Sequence, residues 1–235
     1  MIVCNNSALN NDGWRRYSIW EHSATVHQLY RARARDEAVE MSCAAQAAEL
    51  LAPLVTSGDT LLDAGCGSGY FFHSLRRRGI PAEYHGIDAS PSLIAIGREE
   101  LPRFGLAPER LSVLRIEDLD GAVDHVICMN VLSNIDNYQR PLERLLALAR
   151  KSLILRESAG DSTLYTYVRD SFLDPGVELR VHVNRYDRTE LETFIEERGF
   201  TVETTVDRRS GGAPEMVIGY PHWWTFFRAI RHGAI

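Results

Sequence analysis

The stretch LLDAGCGSGYF, residues 61–71, constrains the fold more than any other part of the chain. An apolar run ending in Asp63 and Ala64 passes directly into glycines at 65, 67 and 69 and then into Tyr70 and Phe71, the pattern of a buried strand that turns sharply into a helix. Glycine lets the backbone make that turn and lets a ligand approach closer than any Cβ would allow. The next β-rich run, AEYHGID (82–88), ends in a second carboxylate, Asp88, and Ser90-Pro91 then reads as an N-cap with proline in the first helical turn. LSVLR (111–115), VDHVICM (123–129) and SLILRE (152–157) are further strands, and Leu142, Leu145, Leu146 and Ala149 are spaced as the inner face of a helix. Strands alternating with helices in this way form crossover units on a parallel sheet.

Toward the C-terminus, Asp187 and Glu190 resemble a capping box, Leu191, Phe194 and Ile195 line one helical face, and Gly199 stops the helix. TVETTVD (201–207) and EMVIGY (215–220), joined by RRSGGAP, predict an antiparallel hairpin at the sheet edge. No repeat, low-complexity tract or long linker interrupts the chain, so a single domain over 1–235 is expected. Its parts are a helical lid (12–52), a ligand-binding core (59–157), an insertion (158–186), a closing helix and hairpin (187–220) and an aromatic tail (221–235).

Composition narrows the class. The chain has 235 residues, 45% of them apolar and 25% charged, the balance of a globular domain large enough to need no metal or disulfide staple. Against 32 acidic residues stand 26 Lys and Arg, a net charge of −6, which argues against nucleic acid as a partner. Cys4, Cys43, Cys66 and Cys128 form no C-x-x-C pair, so neither a metal site nor a disulfide framework is expected and a reduced cytoplasm is the simplest compartment. No basic start leads into an apolar stretch and no long uncharged apolar run occurs, so neither secretion nor integral membrane association is expected.

Two ligand classes use a glycine loop of this kind, and electrostatics separates them. A dinucleotide sets its pyrophosphate at the helix N-terminus, where the carboxylate of Asp63 would repel it, and its pattern wants a third glycine where Tyr70 stands. S-adenosyl-L-methionine has no phosphate and presents an ammonium and a sulfonium, so Asp63 has a cation to accept. Asp88 sits where the ribose hydroxyls of either ligand would lie. The structural alternative for both carboxylates is a solvated or capping strand-end aspartate.

On these residues the chain resembles the class I S-adenosylmethionine-dependent methyltransferases. LLDAGCGSGYF is similar to the family's first motif, HGIDAS to its acidic ribose-binding motif, and VDHVICMNVLSNI to the segment whose strand ends beside the cofactor. The resemblance implies a Rossmann-like α/β fold: a seven-stranded, mostly parallel sheet flanked by helices, with the last strand antiparallel. It implies cofactor contacts at Asp63, Gly65, Cys66, Gly67, Asp88 and Ala89, with Met129 and Asn130 beside the cofactor. Arg115 stands where the family often has an acidic residue for the adenine amino group, which shifts that role to Glu117 or Asp118. No N-P-P-Y-type sequence follows the fourth strand, which removes the usual pointer to nucleobase or amide nitrogen as acceptor.

Methyl transfer depends on aligning a nucleophile with the methyl carbon, and a base is needed only for an acceptor that loses a proton. Three segments are available to shape the acceptor site: 12–40, 158–186 and the tail. Tyr17, Trp20, Ala24 and His27 fall on one helical face, either packing on the sheet edge or closing as a lid, with Tyr17 toward the cofactor and Trp20 toward the acceptor. The insertion brings Tyr165, Tyr167 and Tyr186 as acceptor-binding aromatics and His182 as base, its alternative being an exposed residue on a short V-H-V strand. Glu157, at the end of the fifth strand, is the second catalytic candidate, its alternative being an ion pair with an arginine. The aromatic tail PHWWTFFRAIRHG suits core packing or a homodimer. The expected activity is methyl transfer to a small-molecule acceptor, oxygen preferred over nitrogen. A non-catalytic cofactor-binding protein and an NAD(P)-dependent oxidoreductase are the alternatives.

Overall fold

The computed structural model describes Arg16 and residues 18–234. The helices are α1 (Ala24–Ala34), α2 (Ser42–Leu51), α3 (Phe71–Arg77), α4 (Pro91–Glu100), α5 (Gln139–Leu148) and α6 (Arg188–Glu196). Strands β1 (Thr60–Ala64), β2 (Glu83–Asp88), β3 (Leu111–Val113), β4 (Val123–Met129), β5 (Ala149–Gly160), β9 (Phe200–Val206) and β12 (Trp224–Arg231) form the main sheet in the order β3-β2-β1-β4-β5-β12-β9. A short β8 (Tyr186–Asp187) adds to β5. Pairings from β3 to β5 are parallel, and β12 runs antiparallel to both β5 and β9, so the expected mostly parallel sheet with an antiparallel last strand is what the chain forms.

The sheet is covered on both faces because its central strands are apolar on both. Leu62, Ala64, Val126 and Cys128 pack with Leu142, Leu145 and Leu146 of α5 and Leu191 and Ile195 of α6. Their neighbours Leu61, Ile127 and Ile154 face the other way, against Ala44, Ala47 and Leu51 of α2, Phe71 and Leu75 of α3 and Ile94 of α4. Each fully buried leucine here contributes about 1.5–3 kcal/mol. The caps form as the sequence suggests: Ser90 Oγ accepts the Leu93 amide at 3.3 Å and Asp187 Oδ1 the Glu190 amide at 3.1 Å. Glu190 does not complete a capping box, because its carboxylate takes the Thr163 hydroxyl instead. No helix among the described residues is long and apolar enough to cross a membrane.

Two expectations are corrected. Residues 200–206 do not pair with 215–220. Their partner is β12, and the intervening segment folds on itself as the hairpin β10 (Glu215–Val217) and β11 (Tyr220–His222). The aromatic tail is thus mostly a central strand: Phe226 and Phe227 are fully buried, one on each face of the sheet, and are not available to a second copy. The N-terminal segment is not one amphipathic helix either. A 3-10 turn at Ile19–Glu21 gives way at Ser23, whose hydroxyl caps α1. Tyr17 lies outside the described residues.

The insertion folds as an antiparallel pair, β6 (Tyr167–Arg169) and β7 (Arg180–His182). It is tied to the N-terminal segment: Ser23 Oγ donates to the Phe172 carbonyl, the Ala24 amide to Asp174 Oδ1 and the Asp174 amide to the His22 carbonyl, each at 2.9 Å. The two candidate covers of the site are therefore joined to each other.

Candidate active site

Beyond Ala64 the chain reverses on the Ile87 carbonyl, which accepts the amides of Gly65 and Cys66 at 2.8 and 2.9 Å. Gly65 and Gly67 have φ of +77° and +58°, and both are crowded: a Cβ on Gly65 would stand 2.2 Å from Val131 Cγ2, and one on Gly67 2.2 Å from the Tyr30 ring. Positive φ and close approach together require glycine at both positions. The end of β2 is tied to this loop, since Asp88 Oδ2 accepts the Gly67 amide and Oδ1 the Ser90 amide, both at 2.8 Å. Burial pushes the Asp88 carboxyl up to about 6, with the two amides acting in the opposite sense.

These elements open onto a cavity of about 500 Å³ at the carboxyl ends of the strands, where the strand order turns back between β1 and β4. Gly65, Asp88 and Ala89 line it, together with Leu114, Ile116 and Glu117 after β3 and Met129 and Asn130 at the end of β4. From the N-terminal side come Ser18, Trp20, Tyr30 and Arg33, and Tyr70 follows the glycine loop. Tyr30 is partly buried, and desolvation pushes its hydroxyl up to about 12. The Arg33 guanidinium lies 5.1 and 5.2 Å from the centres of the Tyr30 and Tyr70 rings and has no carboxylate partner among the described residues.

The other end of the cavity is made by Asn134, Ile135 and Asp136 and by the β6–β7 pair, through Tyr167, Arg180 and His182. The His182 ring stands 4.5 Å from that of Tyr167 at 32°. Its Nδ1 is buried with no hydrogen-bond partner among the described residues, and burial holds the imidazole below its ordinary value, the nearby Asp136 acting the other way. The Asn134 side chain donates to the His182 carbonyl at 2.9 Å, fixing the hairpin to the loop after β4.

Most of the residues expected from sequence converge here: Gly65, Asp88, Ala89, Glu117, Met129, Asn130, Trp20, Tyr167 and His182 all line the cavity. Others do not. Asp63 is buried behind the loop, where it accepts the Tyr84 hydroxyl at 2.7 Å and burial pushes it up to about 7; a carboxylate in that state is a poor counterion for a ligand ammonium. Cys66 is a buried thiol and Gly67 acts through its amide on Asp88. Asp118 is taken by Arg115 at 2.7 and 2.9 Å, which leaves Glu117 as the one of this pair that lines the cavity. Tyr165 is half exposed away from the cavity, and Tyr186 is fully buried, its hydroxyl donating to the Leu132 carbonyl.

Glu157 is neither in the cavity nor paired with arginine. It is fully buried, and its carboxylate accepts three successive amides, Val131 and Leu132 at 2.8 Å and Ser133 at 3.0 Å. It therefore holds the loop that carries Val131 against Gly65 and Asn134 against the hairpin. Tyr30, Arg33, Asn134, Asp136 and Arg180 were not singled out by the sequence, because no local pattern reveals which loop reaches the cavity.

A doubly wound sheet whose strand-end carboxylate is bonded to a glycine loop suits a nucleoside-containing cofactor, and comparison with known proteins identifies the class as the S-adenosylmethionine-dependent methyltransferases. The profile of a family described as "Methyltransferase domain" matches residues 12–205, and the chain belongs to that family, whose cofactor is S-adenosyl-L-methionine. Among curated proteins, a demethylmenaquinone methyltransferase from Tropheryma whipplei is 33% identical over 85 residues, 36% of this chain and 35% of that protein. An uncharacterized protein from Synechococcus is 33% identical over 89 residues, which are 21% of its length. The chain thus matches about a third or less of these relatives. Among solved structures, magnesium protoporphyrin IX methyltransferase from Synechocystis PCC 6803 with bound SAH aligns with a TM-score of 0.60 at 18% identity, covering 89% of this chain and 95% of that one. A glycopeptide N-methyltransferase complexed with S-adenosyl-L-methionine aligns at 0.55 and 14% identity over 80% and 93% of the two chains. A putative RNA methyltransferase from Pyrococcus horikoshii aligns at 0.53 and 16% identity over 80% and 84%. At these identities the likeness is one of fold, and the acceptors differ.

Proposed function

We propose that the protein transfers a methyl group from S-adenosyl-L-methionine to a small-molecule acceptor, at oxygen in preference to nitrogen. The observation that carries this reading is a single cavity with the Asp88–glycine loop unit at one end and the imidazole of His182 at the other.

The residues at the first end fit the cofactor. Each Asp88 oxygen has one amide bonded and a lone pair left for a ribose hydroxyl. Leu114, Ile116 and Met129 offer apolar walls for a planar base, with Glu117 to accept from its amino group. Arg33, held over two tyrosine rings and without a carboxylate partner among the described residues, supplies a cation for the methionyl carboxylate. Bound there, the cofactor supplies a methyl group on a sulfonium for in-line displacement.

At the second end Tyr167 and Trp20 give an acceptor aromatic surface. Burial disfavours the charged form of His182, whose imidazole lines the cavity and would take the proton of an acceptor hydroxyl as the oxygen attacks the methyl carbon. Glu157 serves as a positioning residue for the loop between the two ends. Cys43, Cys66 and Cys128 are buried free thiols, and a reduced cytoplasm is the compartment proposed.

The test is transfer of labelled methyl from the cofactor to the small-molecule fraction of a cell extract. Label in a small molecule that depends on both protein and extract is the expected result. Label only in RNA or protein would contradict the acceptor class. Cofactor binding with no acceptor-dependent transfer would make the chain a binding protein.

A further inference from the structure

Behind the cavity wall lies a buried polar group built around an arginine. Arg156, in the middle of the sheet and 5% exposed, donates from Nε to Asp207 Oδ2 at 2.8 Å. Its guanidinium lies 4.5 Å from the centre of the Trp224 ring. From Nη1 it donates to the side-chain oxygen of Asn130. Asp207 is itself buried, and its other oxygen accepts the amides of Arg209 and Ser210 at 3.0 and 3.1 Å. Asn130 has φ of +60°, and its amide nitrogen donates to the Arg156 carbonyl at 2.8 Å. The same arginine therefore fixes both the backbone and the side chain of Asn130.

The orientation of that side chain follows from donor chemistry. A guanidinium has only N–H groups, so the side of Asn130 facing it must be the carbonyl. The NH2 group has no partner among the described residues, and Asn130 lines the cavity. We infer that Arg156 is a positioning residue that locks Asn130 as a hydrogen-bond donor into the cavity, and that this donor selects an oxygen nucleophile. The inference rests on the methyl-transfer reading and deepens it.

The selection comes from what the nucleophile has left once one lone pair is aimed at the methyl carbon. A hydroxyl oxygen gives its proton to the His182 imidazole and keeps a further lone pair, which accepts from the Asn130 NH2. The oxygen–carbon bond then forms as the carbon–sulfur bond breaks, with the electron pair leaving on sulfur as a neutral thioether. An amine in the same place has only N–H groups left, and donor would face donor. Had the asparagine carbonyl faced the cavity, the preference would reverse.

Asn130→Asp keeps an oxygen toward Arg156 and replaces the NH2 by a second oxygen. Asn130→Gly removes the side chain and tolerates the positive φ. Arg156→Lys keeps a charge beside Asp207 without the planar fork. With extract and cofactor carrying a 13C-methyl group, the wild-type product should show its methyl carbon in the oxygen-bound region of the NMR spectrum. All three variants should melt within a few degrees of wild type. Each should bind S-adenosylhomocysteine within about threefold of wild type while losing turnover by about tenfold or more, the order expected for one lost buried hydrogen bond. A nitrogen-bound methyl, or wild-type turnover in Asn130→Asp and Asn130→Gly, overturns the inference and leaves methyl transfer standing. A loss of S-adenosylhomocysteine affinity in step with turnover overturns it as well, since the donor would then serve the cofactor. Intact S-adenosylhomocysteine binding with no product from the wild type defeats the methyl-transfer reading itself.

Discussion

Asp88 Oδ2 accepts the Gly67 amide at 2.8 Å, so the carboxylate that ends β2 and the loop that leaves β1 move as one unit. Asp88→Ala removes the proposed ribose acceptor and that tether together. S-adenosylhomocysteine affinity should fall by about tenfold or more, the cost of a charge-assisted hydrogen bond or two. The wild type should show a matching pH effect. Burial sets this carboxyl at about 6, and only the ionised form offers both oxygens, so affinity should weaken as pH drops below that value. Calorimetry between pH 5 and 8 checks it; an affinity flat across that range speaks against Asp88 as the ribose ligand.

Asp63 makes a prediction about stability instead. Its carboxyl is raised from 3.8 to about 7 by burial, so between those values the folded chain holds a proton that the unfolded chain releases. Stability contributed by this group therefore falls as pH rises through that window, and the cost is complete above it. Asp63→Asn can still accept the Tyr84 hydroxyl but cannot ionise. The variant should gain about 1–3 kcal/mol on wild type at pH 8 relative to pH 4. Parallel melting temperatures of the two proteins across that range would show that the carboxyl is not perturbed.

At the opposite end of the sheet the sign reverses. Burial alone would raise Asp59, but the sole lysine, Lys151, at 2.5 Å, the Thr56 amide at 2.8 Å and His125 at 3.0 Å outweigh it and hold the carboxyl below its ordinary range. This stability is present above the ordinary carboxylate range and is lost on acidification through it. His125 is fully buried and also bonds Ser152 at 2.8 Å. Asp59→Ala should cost about 2–4 kcal/mol by leaving buried partners unpaired. It should leave S-adenosylhomocysteine affinity unchanged, because the cluster lies away from the cavity; a change in affinity would link the two ends of the sheet.

His182→Ala should lower turnover by about a hundredfold or more with little effect on S-adenosylhomocysteine binding. Burial keeps this imidazole below its ordinary value, so the base form predominates at neutral pH and the rate should fall only as the solution is acidified past that value. The acid limb should vanish in the variant. A pH–rate profile of unchanged shape would mean that the limb belongs to another group.

The parts of this molecule that were legible in its sequence are those whose signal is local. A strand entering three spaced glycines, an aspartate closing the next strand and a Ser-Pro helix start each lie within a few residues, and the structure joins them at Asp88, Gly67 and Ser90. The closing hairpin was misread because Phe226 and Phe227 are buried on opposite faces, so β12 has no polar-apolar alternation to mark it as a strand, while Gly211 and Gly212 suggest a turn between the wrong partners. Glu157 and Tyr186 have the composition of site residues. Their roles depend on where the loop 131–136 comes to lie, and it lies on them rather than beside them. The amide orientation of Asn130 is set by Arg156, 26 positions away, through contacts that exist only once β4 and β5 pair.

The cavity at the carboxyl ends of β1, β2 and β4 is the proposed S-adenosyl site. Calorimetric titration of the purified chain with S-adenosylhomocysteine and, separately, with NAD tests it most directly. S-adenosylhomocysteine should bind saturably at a single site, more weakly in Asp88→Ala, and NAD should give no heat. Saturable NAD binding, or no S-adenosylhomocysteine binding by a folded protein, would contradict it.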